Sequence, residues 1–277
     1  MADCEPIAHQ FMDLTVPEYA YMFGFLQADG HLHQGTGQKG RLTLELGIRD
    51  IDLLYRFKHL TPFNSRVSER TRSTNFAETH HSAIWTLCSL EARTMLNGLG
   101  LPYGRKSREI SPPRVVFCQR DYLRGLIDAD GSVGRTGPGW PFISLTTSST
   151  AIAAYTCSYA QKITGAERHI NRNARDEVYN SLYEKETAQA LVADLYYPGC
   201  LSLGRKQVKA DSLASWARPF DMRIAHSRRP WTAQEDHVLL QSRDVVAVAE
   251  QLQRSEKSCR MRLWRFRNGH LLTPTEH

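Results

Sequence analysis

Two stretches of the chain set apolar residues three and four apart and then stop at an acidic residue followed by glycine. In 122–131 (YLRGLIDADG), Leu123, Leu126 and Ile127 mark one helical face ahead of Asp128, Asp130 and Gly131. Residues 21–30 (YMFGFLQADG) align with it without a gap, sharing Tyr, Gly, Ala, Asp and Gly. After each copy the period changes. In the first half, glycines within 31–48 make a turn between two extended arms, 51–60 reads as a helix, 67–71 and 82–90 as strands, and 90–98 as a helix. The second half repeats this with a hairpin over 132–147, a helix over 150–164, strands over 167–173 and 178–184, and a helix over 187–197. Each half is expected to run helix, hairpin, helix, hairpin, helix. Ser-Pro-Pro at 111–113 breaks any helix and marks the seam. A second echo, LGLPYGRKS at 99–107 and LSLGRKQ at 201–207, closes each half with Gly-Arg-Lys after a helix-like stretch. Asp29 and Asp130 lie 101 positions apart, and Lys106 and Lys206 lie 100 apart.

The paired motif carries a physical demand. Gly24 and Ala28, like Gly125 and Ala129, place small residues four apart on one helix face, which lets two backbones come almost into contact. Packing about a pseudo-two-fold axis then brings Asp29 and Asp130 side by side. Each sits at a helix C-terminus that is already partly negative, so one carboxyl is driven upward in pKa unless a cation lies between them. A hard divalent ion with oxygen ligands answers that demand. Mg²⁺, or Mn²⁺ in its place, is expected, since it accepts one or two carboxylates and keeps waters for substrate phosphates.

Composition narrows the class. The chain has 277 residues, 41% hydrophobic and 23% charged, the balance of a globular protein. No run approaches the ~20 apolar residues of a membrane span, and the acidic start MADCEPIAHQF lacks the pattern of a signal peptide, so a cytoplasmic protein, prokaryotic or phage-encoded, is expected. The six cysteines never come closer than thirty positions, which excludes a Cys-x-x-Cys zinc pair. His31, His33, His80 and His81 read as surface or turn residues. The net charge of +6 is concentrated at the C-terminal end, where 223–270 holds ten Arg or Lys against five Asp or Glu. There, Thr232 and Glu235 form a capping-box start, 245–252 reads as a second short helix, and 255–269 as a third, with Ser255 as cap, Gly269 as stop, and Cys259, Leu263 and Phe266 facing inward. Three short helices with an arginine-rich last member make a helix-turn-helix arrangement.

LRGLIDADG at 123–131 matches eight of the nine letters of the LAGLIDADG motif, and MFGFLQADG at 22–30 is a looser copy. The region from about 17 to 216, about 70% of the chain, therefore resembles a single-chain, two-repeat LAGLIDADG homing endonuclease. The resemblance implies an α+β fold in which two pseudo-symmetric αββαββα repeats (1–113 and 114–216) form a DNA-binding saddle. It implies that Asp29 and Asp130 bind divalent metal and that each site cuts one DNA strand. Lys106 and Lys206 match the basic residue late in each repeat that positions solvent or neutralises the transition state. The supporting acid of the motif is Asp128 in one copy and Gln27 in the other; glutamine still accepts a hydrogen bond there without adding charge. The strand residue of the solvent network aligns roughly with Ile48 and Thr147, or within two residues with Glu45 or Arg49, an asymmetry that implies unequal activity on the two strands.

On the saddle, Arg41, Glu45, Arg66, Glu69, Arg70 and Arg72 of the first half, and Arg135, Ser144, Thr146, Arg168, Asn171, Arg172 and Asn173 of the second, are expected to face double-stranded DNA and, because they differ, an asymmetric target. The C-terminal pattern PWTAQED…VAEQLQRSEKSCRMRLWR resembles bacterial Myb/SANT-like helix-turn-helix domains. It implies a linker over 217–229 and a DNA-binding domain over 230–270, with Arg228, Arg229, Arg260, Arg262, Arg265 and Arg267 as contacts. A monomer with no membrane association is expected. Two rival functions share these features: a non-cleaving transcription regulator, and an RNA maturase, which preferential binding of structured RNA would favour.

Overall fold

The computed structural model describes residues 10–33, 35, 39–74, 77–220, 222, 231–268 and 271, with the backbone alone over 73, 74 and 77–80. The chain divides into two compact units, Met1–Arg218 and Pro219–His277. No helix among the described residues is long and apolar enough to cross a membrane.

The first unit opens with helix α1 (Pro17–Ala28), the short strand β1 (His31–Leu32), β2 (Leu42–Gly47), a single 3₁₀ turn (Ile48–Asp50), α2 (Ile51–His59), β3 (Ser65–Thr74), β4 (Ala77–Leu87) and α3 (Leu90–Gly98). It continues with α4 (Gln119–Asp130), β5 (Gly131–Arg135), β6 (Pro141–Thr147), α5 (Thr150–Thr164), β7 (Tyr179–Glu184), α6 (Lys185–Leu195) and α7 (Gly204–Leu213). Both sheets are antiparallel, in the orders β1-β2-β4-β3 and β5-β6-β7. Leu42, Leu44 and Leu46 of β2, and Ile143 and Leu145 of β6, turn inward at every second position, so each sheet buries one face and leaves the other open.

Two expectations are corrected. No strand forms over 167–173, where Ile170 is the sole large apolar residue and no alternating face exists to bury. Gly165 ends α5 in the left-handed region at φ 70°, and the segment instead turns back on itself, with the Asn173 N–H donating to the Val178 carbonyl at 2.8 Å. The second repeat is therefore a three-stranded αββαβα unit followed by α7. The Gly-Arg-Lys echo does not close a helix either. In the second half Gly204 opens α7, whereas in the first half Lys106 sits in a turn, its carbonyl accepting from the Ile110 N–H at 3.1 Å.

The two halves meet along α1 and α4. Residues Tyr19–Gln27 of α1 are buried without a break, as expected of a helix apolar on all sides. A Cβ built on Gly24 would run into the Tyr122 carbonyl oxygen, and one on Gly125 into the Tyr21 carbonyl oxygen. The backbones thus touch reciprocally. Arg124, the one departure from the motif letters, is fully buried against Asp121 and donates to the carbonyls of Leu195 (2.7 Å) and Leu201 (2.9 Å), fastening α4 to its own half. Between the halves, the Arg205 Nε donates to both carboxylate oxygens of Asp50 at 3.0 and 3.1 Å.

The second unit packs α8 (Ala233–Gln241), α9 (Val245–Gln251) and α10 (Glu256–Arg267) around Leu239, Val248, Ala249 and Cys259. Thr232 and Glu235 form the reciprocal capping box, and Ser255 accepts from the Ser258 N–H at the start of α10. Leu263 packs on this core, whereas Phe266 is half-buried under the Arg262 guanidinium. Gly269 lies outside the described residues.

Gly125→Val is expected to lower stability by at least about 3 kcal/mol, because the clash is with backbone that has no room to yield. Gly98→Ala, facing open space at the end of α3, is the control, expected to stabilise by up to about 1 kcal/mol. Urea unfolding midpoints measure both.

Candidate functional site

Asp29 is the C-cap of α1, its N–H donating to the Phe25 carbonyl at 2.9 Å, and Asp130 is the last residue of α4. Both side chains reach solvent, yet surrounding protein crowds them. That loss of hydration, with repulsion from Asp130, pushes the Asp29 carboxyl up to about 6. Loss of hydration raises Asp130 as well, and Lys106 and Lys206 pull both carboxyls back down. The two aspartates and two lysines therefore form one electrostatic cluster at the paired helix ends.

The lysines serve the backbone directly. Lys106 donates from Nζ to the carbonyls of Leu26, Gln27 and Ala28, and Lys206 to those of Ile127 (2.7 Å), Asp128 (2.7 Å) and Gly131 (2.8 Å). Each cation thus satisfies the last carbonyls of one motif helix, where the macrodipole is negative. Burial draws both amines down to about 8. The expected role in positioning solvent is narrowed accordingly, since these ammonium protons point at main chain.

Behind them the motif's other polar residues cross the interface. The Tyr21 hydroxyl of α1 donates to Asp128 of α4 at 2.7 Å, and the Tyr122 hydroxyl of α4 donates to the Gln27 side-chain carbonyl of α1. Asp128 also accepts from the Tyr196 hydroxyl (2.7 Å) and the Leu203 N–H (2.7 Å), whereas Gln27 donates to the carbonyls of Gly100 (2.8 Å) and Ser111 (3.1 Å). One pocket offers donors and the other offers acceptors, which is why a carboxylate suits the first and an amide the second. Sequence reading missed this exchange of tyrosines, although the identical Tyr opening both motifs was its signal.

Sheet register corrects the rough alignment of the strand position. His31 pairs with Thr43 and Ser132 with Ser144, so Glu45 is equivalent to Thr146, Leu46 to Thr147, and Ile48 to Ser149. Ile48 packs half-buried against the core, and Arg49 lies on the 3₁₀ turn beside Asp50. Glu45 stands on the open face of the first sheet, accepting from the Ser82 hydroxyl at 2.6 Å and pairing with Arg72 at 3.1 Å. Thr146 stands on the open face of the second and lines, with Asp130, Gln27, Ser107, Thr147 and Ser148, a cleft of about 170 Å³.

The expected recognition residues separate in the same way. Arg66, Arg70 and Arg72 share the open face of the first sheet with Thr43 and Thr86, and Arg41 lies exposed at its near end, its Nε 3.4 Å from the His33 ring. Glu69 turns to the opposite face, against His81 at 3.1 Å. Arg135 also turns away from the open face, donating to the Ser212 carbonyl of α7 at 2.6 Å, because its strand partner Pro141 belongs to the buried set. Ser144 and Thr146 keep the open face. Arg168 is exposed over the Tyr183 ring, and Asn171 and Asn173 are exposed in the same irregular segment. Arg172 braces that segment, donating to the carbonyls of Ser148 and Glu177 and to the Thr150 hydroxyl.

In the second unit, Arg262 is an internal brace rather than a free surface cation. It forks onto Asp236 at 2.6 and 2.8 Å and lies over the Trp231 ring, with Arg254 over the same ring and forked onto Glu235. Arg260 pairs with Glu256 one turn earlier, while Arg265 and Arg267 are exposed. Arg228 and Arg229 lie outside the described residues.

Comparison with known proteins places this geometry in a fold. Residues 117–193 match the LAGLIDADG-like domain family. No curated protein matches the chain in sequence. Among solved structures, the homing endonuclease I-WcaI bound to its DNA recognition sequence is 12% identical, with 73% of this chain and 89% of that one covered at a TM-score of 0.51. The LAGLIDADG homing endonuclease I-LtrWI bound to target DNA (9% identity, 70% and 87% covered, TM-score 0.44) and full-length DUF199/WhiA from Thermatoga maritima (12%, 93% and 94%, 0.43) also match. The chain carries a LAGLIDADG-like domain in its second half and shares its α+β fold with I-WcaI.

Lys206→Met is expected to cost about 2–4 kcal/mol, since the carbonyls of Ile127, Asp128 and Gly131 lose the ammonium at once and that of Ile127 keeps the Gly131 N–H. Guanidinium unfolding checks it, and hydrogen exchange of the last turn of α4 is expected to quicken with it.

Proposed function

We propose that this protein is a site-specific DNA endonuclease that hydrolyses both strands of a long asymmetric target with a divalent metal. The observation that carries the reading is the electrostatic coupling of Asp29 to Asp130 at the ends of two helices whose backbones touch at Gly24 and Gly125, in one unit with a sheet whose open face bears Arg66, Arg70 and Arg72. The metal's residues would be those two carboxylates. They fit Mg²⁺ or Mn²⁺: the donors are oxygen alone, crowding raises the pKa of both carboxyls and Asp130 raises that of Asp29 further, and no cluster of three or more His, Cys, Asp or Glu suited to a metal exists among the described residues. Such an open site keeps places for water and a phosphate oxygen. When bound, the metal would polarise the phosphodiester and acidify water.

This chain's own residues do the rest. The open-face arginines neutralise backbone phosphates and hold the duplex in register. Lys106 and Lys206 fix the helix ends and set the field at both carboxylates. In the reaction, water oxygen bonds to phosphorus, the phosphorus–oxygen ester bond breaks, the water proton passes to solvent, and the leaving oxygen takes a proton. The C-terminal unit acts as a Myb/SANT-like helix-turn-helix module with Arg265, Arg267 and Arg260 on the DNA, and lengthens the footprint through effective concentration. The chain works as a monomer, because both halves of the site lie in it.

A second reading, a non-cleaving DNA-binding regulator, is favoured by one observation: both lysine amines are engaged with main-chain carbonyls. Sequencing the ends released from a random or genomic DNA pool with Mg²⁺ and with EDTA separates the two. Asp29→Asn and Asp130→Asn are each expected to lower cleavage by at least about a hundredfold while retaining binding. Metal-dependent ends that vanish in both variants support the nuclease; binding without ends supports the regulator.

Acidification provides a further measurement. Below about 6 the Asp29 carboxyl holds a proton that a cation must displace, so Mn²⁺ affinity of the free protein is expected to fall by up to about tenfold per pH unit below 6 and to level off above it. Titration calorimetry from pH 5 to 7.5 measures this.

A further inference from the structure

Helix α10 turns large apolar side chains outward. Cys259 and Leu263 face the core of the second unit and Arg262 folds onto Asp236, which occupies that side of the helix. On the opposite side Lys257, Met261 and Trp264 recur four and three positions apart and form one stripe, with Met261 49% and Trp264 52% exposed. Arg260 and Arg267 stand on one flank of the stripe and Arg265 on the other, all three exposed. Exposed apolar side chains rimmed by charge mark a place of contact.

We propose that Met261 and Trp264 read the 5-methyl groups of thymine in the major groove and so set the sequence preference of the C-terminal unit. The inference rests on the reading of that unit as a DNA-binding module and adds what the module recognises. The occupant follows from the arrangement. A helix about 10–12 Å across fits a major groove about 12 Å wide, with its flanks toward the two sugar-phosphate backbones and its outermost stripe toward the base edges. Here the flanks carry arginine, which suits phosphate, and most of the stripe is apolar. Base edges in that groove offer hydrogen-bonding atoms at every pair but one kind of apolar group, the thymine methyl. A second copy of this chain laid on the same stripe would bring the exposed arginines of both copies together, and like charges in an interface oppose it.

The experiment uses the full chain in EDTA, so that binding is read without cleavage. The wild type selects duplexes from a randomised pool, and the most enriched one is prepared with thymine and with uracil, which lacks only the methyl group. The thymine duplex is expected to bind about fourfold more tightly if the stripe covers one methyl and about fifteenfold if it covers two. Met261→Gln and Trp264→Gln retain helix-forming side chains and are each expected to lower that ratio by about fourfold. Arg265→Ala is expected to weaken both duplexes alike by several-fold, with the ratio unmoved, because a backbone contact carries no sequence information.

A wild-type ratio of one overturns the inference. So does a ratio that both Gln variants preserve, which moves methyl reading to the first unit. Sedimentation of the free chain as a dimer that Trp264→Gln splits assigns the stripe to a second copy and also overturns it. Wild-type affinity for both duplexes in Arg265→Ala and in both Gln variants overturns the reading of the C-terminal unit as a DNA module, and does so whether or not the first unit cleaves.

Discussion

Backbone contact between α1 and α4 is the constraint from which the rest of the first unit follows. Gly24 lies on the Tyr122 carbonyl and Gly125 on the Tyr21 carbonyl, leaving no volume for even one methyl group. Helices usually cross at 8–10 Å, held apart by side chains. Here the side chains are absent at the crossing, and the helices come close enough that hydroxyls reach across. The Tyr21–Asp128 and Tyr122–Gln27 bonds exist because of that closeness, and they lock the register in which both C-termini end at one level. A shift of one residue along α1 would take the Tyr21 hydroxyl from Asp128 and the Gln27 side-chain carbonyl from the Tyr122 hydroxyl, and buried polar groups that lose a partner are costly.

Bringing two helix C-termini together concentrates negative charge. Twelve-residue helices each end in unpaired carbonyls, and each adds an aspartate. The fold answers in part with Lys106 and Lys206, whose ammonium groups cover the carbonyls from below. Their burial is unfavourable in itself, as their lowered pKa values show, and the carbonyl bonds offset it. The same two lysines offset the pair of carboxylates only in part, since both stay raised. Loss of hydration first, and repulsion from Asp130 second, raise Asp29 to about 6.

Around this near-symmetric centre the two halves have diverged. The first sheet has four strands and a largely basic open face; the second has three strands, an open face bearing Ser144, Thr146, Asn180 and Glu184, and an irregular segment where a fourth strand was expected. Several arginines that composition would assign to a partner are consumed internally: Arg124 on Asp121, Arg135 on α7, Arg172 on its own loop, and Arg254 and Arg262 around Trp231. A guanidinium offers five donors in a fixed fork, so it stabilises irregular chain segments as readily as it contacts phosphate. Net charge alone does not distinguish the two uses.

The sequence by itself determined the elements whose cause is local. The repeated motif announced paired helices, alternation announced β2, β4, β6 and β7, and Thr232 with Glu235 announced the start of α8, because periodicity, capping and turn chemistry act over a few residues. The missing strand at 167–173 and the unforeseen α7 were misread where local signals were weak: polar residues without alternation in one, a glycine that opens a helix instead of ending it in the other. Only the tertiary structure decided which face Arg135 and Glu69 occupy, that Glu45 and Thr146 are equivalent, and that the lysines turn to carbonyls. Those outcomes depend on register between strands and on contacts across about a hundred residues of chain. A one-residue slip in pairing would move every side chain of a strand to its other face, and nothing within a strand's own sequence states which partner it will find.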